Sequence, residues 1–140
     1  MLGGMVMDTW NDSLLIGVKL IDDQHRELIR RMDRLVEACR RGEGQAEVGR
    51  TIKYVVSYVK EHFTAEEDLQ ILYDYPDRVA HKKLHDHFVE ETIKLMHELK
   101  EGHSAKFTDH VRKMLIGWFL MHINNEDKKV GAHIKAHSDE

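Results

Sequence analysis

The sequence predicts an all-α protein, an antiparallel up-down-up-down four-helix bundle with an N-terminal arm. Three observations predict it. Apolar residues recur every three to four positions along most of the 140-residue chain, the period of a helix with one buried face. The pattern breaks at few places, marked by Gly42, Gly44, Gly102 and the single proline, Pro76. Beyond the first residues no stretch alternates apolar and polar in the manner of a strand. Short connections between long amphipathic helices make sequential helices antiparallel neighbours.

Residues 1–20 read as the arm. Trp10, Leu14, Leu15, Ile16 and Val18 give it apolar surface to lay on the bundle, which takes residues 21–140 as one domain. The first helix is expected from about Asp22 to Arg41, with His25, Leu28, Ile29, Met32, Leu35, Val36 and Cys39 facing inward and RRGEG ending it. The second is expected from about Ala46 to Tyr73, its inward face carrying Ile52, Val55, Val56, Val59, His62, Glu66, Leu69 and Tyr73. The third is expected to start at Pro76, a good first-turn residue, with Asp77 complementing the helix dipole. Its stripe is His81, Leu84, His85, Phe88, Val89, Thr92, Met96 and Leu99, and Gly102 stops it. The fourth begins between Ser104 and Thr108 and runs to the 130s, with Phe107, Val111, Met114, Leu115, Trp118, Met121 and His122 inward.

Composition narrows the function classes. Charged residues make up 33% of the chain with both signs interspersed and a net charge of −4, so no basic footprint for nucleic acid is present. The longest apolar run, MLIGWFLM at 114–121, is too short to span a bilayer, so no membrane insertion is expected. MLGGMVMDTW has no secretory leader pattern, and the lone Cys39 excludes an intramolecular disulfide, which suits a cytoplasmic protein.

Histidine is the unusual residue, with eleven copies. Each predicted helix places potential metal ligands on its inward stripe: His25; His62 with Glu66; His81 with His85; and His122, followed by Glu126 and Asp127. A buried unpaired carboxylate is costly, so Glu66 on a core stripe calls for cationic company. The remaining histidines fit a solvated population: His87, His97, His103 and His110 fall off the stripes, and His133 and His137 lie in a polar tail. The inward set is too large for one structural zinc and too poor in oxygen for calcium or magnesium. Imidazole with carboxylate suits iron, among other transition metals. Two six-coordinate irons offer about twelve positions; five imidazoles, two bridging carboxylates and a bridging oxide or hydroxide leave one open for a small ligand.

The chain resembles the bacterial hemerythrins, single-domain relatives of the invertebrate oxygen carriers. The likeness rests on Trp10, Gly17, IDDQH ending in His25, HFTAEE at 62–67, YPDRVAHKKLH at 75–85 and WFLMHINNED at 118–127. It implies that His81, His85 and His122 complete one iron, that His25 and His62 bind the other and leave it an open position, and that Glu66 and Asp127 bridge. Helical spacing alone would select Glu126, four past His122; the resemblance selects Asp127, five past, and leaves Glu126 on the surface. The implied chemistry is reversible uptake of dioxygen. Two electrons and the proton of a bridging hydroxide pass to it, giving a hydroperoxide hydrogen-bonded to the oxide bridge, and return on release. By helical spacing Leu28, Phe63, Trp118, Phe119 and Ile123 neighbour the open position and would keep it dry. Two residues depart from the family pattern. Gln70 stands where an apolar residue, often methionine, is usual, and is expected either to face solvent or to bring water or a hydrogen bond near the site. Asp74 replaces a common glycine in YDYP.

Oxygen storage, transport or delivery to an oxygen-consuming protein is therefore the leading function, with binding rather than catalysis at the site. Rivals are a diiron oxidase or peroxidase and an oxygen- or iron-sensing module. Ferritin-like oxidases use Glu-x-x-His pairs, which this chain lacks, and a sensor needs a signalling domain for which the chain has no room. A haem bundle is disfavoured by the absence of C-x-x-C-H.

Overall fold

In a computed structural model that describes residues 9–102 and 104–138, the chain is helical throughout, with no strand among the described residues. After a 3-10 turn at Asp12–Leu14 come α1 (Lys19–Arg40), α2 (Gly44–Leu72), α3 (Arg78–Lys100) and α4 (Ala105–His122). A π-helical turn, Ile123–Asp127, leads without a break into α5 (Lys128–His137). Helix α2 packs on α1, α3 and α4, and α1 also packs on α4, an all-α bundle around one core that includes Leu28, Ile29, Val55, Phe88, Leu115 and Phe119.

Local chemistry sets the helix ends. Helix α1 stops where Gly42 takes φ +76° and the Glu43 amide donates back to the Ala38 carbonyl at 2.7 Å. Helix α2 ends in the same way: Tyr75 N–H reaches the Gln70 carbonyl at 2.8 Å across Asp74, whose φ is +52°. At such a left-handed position glycine carries no steric penalty, and aspartate is among the few side chains that tolerate it. Ser104 caps α4 by accepting the Phe107 amide at 3.1 Å.

Three details differ from the sequence reading. Pro76 lies in the turn ahead of α3, which begins at Arg78 behind the N-cap residue Asp77. Leu84 and Met121, placed on inward stripes, are 38% and 65% exposed; one turn of scatter in a 3.6-residue period carries an edge position outward. Helix α1 starts at Lys19 rather than Asp22, because Asp22 is spent otherwise. Its carboxylate accepts the Ile16 and Gly17 amides at 2.8 and 3.1 Å, pinning the preceding segment to the helix.

That segment packs closely. Leu14 and Ile16 are buried, Arg26 lies 5.1 Å over the Trp10 ring, and the Thr9 amide and hydroxyl both donate to Asp33. Gly131 of α5 meets the Ile16 carbonyl so closely that a Cβ there would stand 2.1 Å from its oxygen. Inside a helix, alanine for glycine ordinarily stabilises by about 1 kcal/mol. Gly49→Ala, whose new methyl would meet only Leu99 at ordinary contact distance, should therefore raise the melting temperature. Gly131→Ala should lower it by several degrees, and thermal unfolding followed by circular dichroism reads the opposite signs.

Candidate metal centre

Each helix delivers its share of the site from a buried face. His25 comes from α1, His62 and Glu66 from α2, His81 and His85 from α3, His122 from the end of α4 and Asp127 from the π turn. All seven are essentially buried, the most exposed being His122 at 4%. The two pairs spaced four apart share a helix face, as expected. Asp127 is five past His122. The π turn explains this: its wider winding places i and i+5 on one side, where an α-helix would have presented Glu126. Glu126 is half-buried.

Ligand atoms of Glu66, His81, His85, His122 and Asp127 lie within 4.8 Å of one another, and so do those of His25, His62, Glu66 and Asp127. The two carboxylates belong to both groups. Glu66 Oε1 is 2.9 Å from the Nε2 atoms of both His81 and His85. Asp127 Oδ1 is 3.1 Å from Nε2 of His81 and of His122, and its Oδ2 is 3.1 Å from Nε2 of His25. Nitrogens of His81 and His122 approach to 3.2 Å.

Many of these atoms lack hydrogen-bond geometry despite the short distances. Nε2 of His25, of His62 and of His85, Oε2 of Glu66 and both oxygens of Asp127 are buried without a partner among the described residues. Lone pairs from nitrogen and oxygen gathered in this way are what divalent or trivalent cations satisfy, so the donor set fits a pair of metal ions sharing the two carboxylates.

Two supporting residues were not singled out from the sequence. The Nδ1–H of His62 donates to Gln24 Oε1 at 2.8 Å, and that of His85 to Glu67 Oε2 at 2.7 Å. Each bond fixes the ring and leaves Nε2 as the inward donor. Both lie beside ligands, in IDDQH and in the EE of HFTAEE, and that adjacency was the available signal.

The expected pocket residues divide. Phe119 stands edge-on to His25 and His62 at 5.4 and 6.2 Å. Phe63 stacks on His85 at 3.7 Å and is 5.6 Å from His62. Leu28 and Ile123 are fully buried. The half-buried Trp118 instead stacks on His122 and Phe88, at 4.5 and 4.1 Å. Of the two positions left open for Gln70, the structure shows the interior one: it is fully buried. One further expectation changes. His133, expected in a polar tail, is a half-buried residue of α5 that donates to the Tyr73 carbonyl at 2.7 Å.

Proton affinities follow the crowding. Burial works against a charged His81, but the adjacent carboxylates of Asp127 and Glu66 prevail and lift it to about 9. His85 is likewise raised, burial being outweighed by Glu66 and Glu67. Burial, followed by neighbouring His25, holds His62 well below its ordinary value. Burial opposes the charge on Asp127, yet the close ring nitrogens of His122, His25 and His81 hold it well below the carboxylate range.

Residues 16–134 match the hemerythrin HHE cation binding domain. The chain is 33% identical over 133 residues to a bacteriohemerythrin of Stenotrophomonas maltophilia, covering 95% of this chain and 85% of that one. It is 28% identical to a myohemerythrin of Theromyzon tessulatum, covering 86% and 88%. Among solved structures it superposes on a wild-type hemerythrin crystal structure with a TM-score of 0.77 at 27% identity, covering 90% of this chain and 96% of that one.

In the metal-free protein, raised His81 and His85 contribute stability that is complete below pH 6.5 and lost as pH rises towards about 9; lowered His62 contributes stability lost as pH falls below 6.5. The melting temperature of metal-free protein should peak near pH 6.5, and loading with metal should abolish the alkaline decline while releasing protons, measured by pH-stat titration. Gln24→Leu and Glu67→Leu should each weaken metal affinity by about 10–100-fold in chelator competition, with helix content unchanged.

Proposed function

The chain belongs to the hemerythrin HHE cation-binding family, and from that premise we propose that it holds two iron ions and binds dioxygen reversibly, as a store, carrier or supplier. The observation that carries this reading is the sharing of Glu66 and Asp127 between two ligand groups of unequal size. In this reading His81, His85 and His122 complete one iron; His25 and His62 serve the other, which keeps one position free. When bound, the iron pair, with a bridging oxide or hydroxide, supplies the electrons that dioxygen takes up and returns.

The protein's own work is positional and protective. Gln24 and Glu67 hold the imidazoles of His62 and His85 as neutral donors. Glu66 and Asp127 offset the cationic charge inside a core closed to bulk solvent. Phe119, set against both His25 and His62, with buried Leu28, Phe63 and Ile123, gives the small-ligand end an apolar wall. A wall without proton donors favours release of dioxygen unchanged over turnover, so the reading is a binding protein and not an oxidase or peroxidase. No described helix is long and apolar enough to cross a membrane. We place the protein in the cytoplasm, with an oxygen-consuming protein as the destination of its ligand.

The test is to load the protein with Fe2+ under anaerobic conditions, quantify iron per chain, and follow absorbance through cycles of aeration and deaeration. Two irons per chain and a spectrum that returns on each cycle are expected. One ion per chain, or an irreversible first oxidation with peroxide turnover, contradicts the reading. Phe119→Ala should open the apolar wall and hasten irreversible oxidation, seen as a shorter lifetime of the aerated spectrum.

A further inference from the structure

Gln70 is fully buried, and neither its amide nitrogen nor its amide oxygen has a partner among the described residues. Buried side-chain amides are almost always hydrogen-bonded. The unpartnered Nε2 atoms of His25, His62 and His85 and the unpartnered oxygens of Glu66 and Asp127 would be answered by cations. Gln70 is not, because its N–H groups need an acceptor while its oxygen needs a donor. Water supplies both, and it is small enough for a packed interior.

Its place in the fold is specific. His62, Glu66 and Gln70 follow one another at single-turn intervals on the inward face of α2. His62 marks the end of the site walled by Phe119. Gln70 lies about 12 Å further along the helix axis from His62. Its carbonyl accepts the Tyr75 amide, and the Tyr75 ring meets His81 at 6.3 Å, so Gln70 belongs to the opposite end.

We propose that Gln70 seats an internal water on the side of the metal pair away from the apolar wall, and that this water donates the proton that sets the lifetime of the oxygenated protein. The proposal rests on the diiron, oxygen-binding reading. Irreversible decay takes one electron from each of two Fe2+ and two protons, converting dioxygen to hydrogen peroxide and leaving two Fe3+. The bridging hydroxide gives the first proton. The water gives the second through the bridging oxygen, so that an oxide and a hydroxide remain and charge balances. Gln70 is a positioning residue in this scheme, acting through the water it holds. Dioxygen and protons then reach the pair from different ends, and a methionine at this position would remove the second route.

Wild-type and Gln70→Met proteins loaded with Fe2+ should show the same iron content and the same reversible spectrum. The aerated spectrum of the variant should decay at least about tenfold more slowly, with a solvent deuterium isotope effect reduced towards unity. In wild-type protein loaded with diamagnetic Zn2+, the Gln70 side-chain amide should show a nuclear Overhauser contact to a long-lived water. Unchanged decay and isotope effect in a folded, iron-loaded variant would overturn the proposal, and so would absence of that water contact, which needs no variant. Failure of the underlying reading is seen separately, as fewer than two irons or no reversible spectrum in the wild type.

Discussion

Two carboxylates at zero exposure, Glu66 and Asp127, are the constraint on which the rest of the structure depends. Alone, either would be driven out of the core or forced to take up a proton. Here Asp127 faces imidazole nitrogens from α1, α3 and α4, and Glu66 of α2 faces two from α3, so the two carboxylates together draw all four helices towards one point. Whatever positive charge lies between them, protons on His81 and His85 or a pair of metal ions, acts as the centre of the fold as well as of the chemistry.

The surrounding residues divide the labour. Hydrogen bonds from His62 to Gln24 and from His85 to Glu67 orient rings without adding ligands. Aromatic rings cover flanks of the site: Phe63 against His85, Trp118 against His122, Phe119 against His25 and His62. These contacts keep water away and lock rotamers, which is why core packing and site precision cannot be separated here.

Much of this was legible in the sequence, for physical reasons. Helical period and the placing of Gly42 and Gly102 gave four helices, since burial of one face and left-handed ends leave residue-level marks. Five histidines on core stripes marked the centre, because solvated histidines need not keep that register. Other features were not legible. The edges of stripes were misread at Leu84 and Met121, where a turn's angular drift decides exposure. Spacing argued for Glu126, and only the resemblance selected Asp127, because a π turn has no sequence signature of its own. Gln24 and Glu67 passed unnoticed because an orienting role depends on a side-chain distance, not on a period. The burial of Gln70 was undecided for a different reason: a single amide against an apolar pattern reads equally well as an exposed edge.

The π turn at Ile123–Asp127 has a further meaning. It amounts to one extra residue inserted in an otherwise continuous helix from Ala105 to His137. Excising a residue from that loop of backbone would rotate everything downstream by about 100°. The aspartate would swing out of the interior, and Gly131 would no longer face the Ile16 carbonyl that it seats. A single insertion thus sets the phase of two distant junctions.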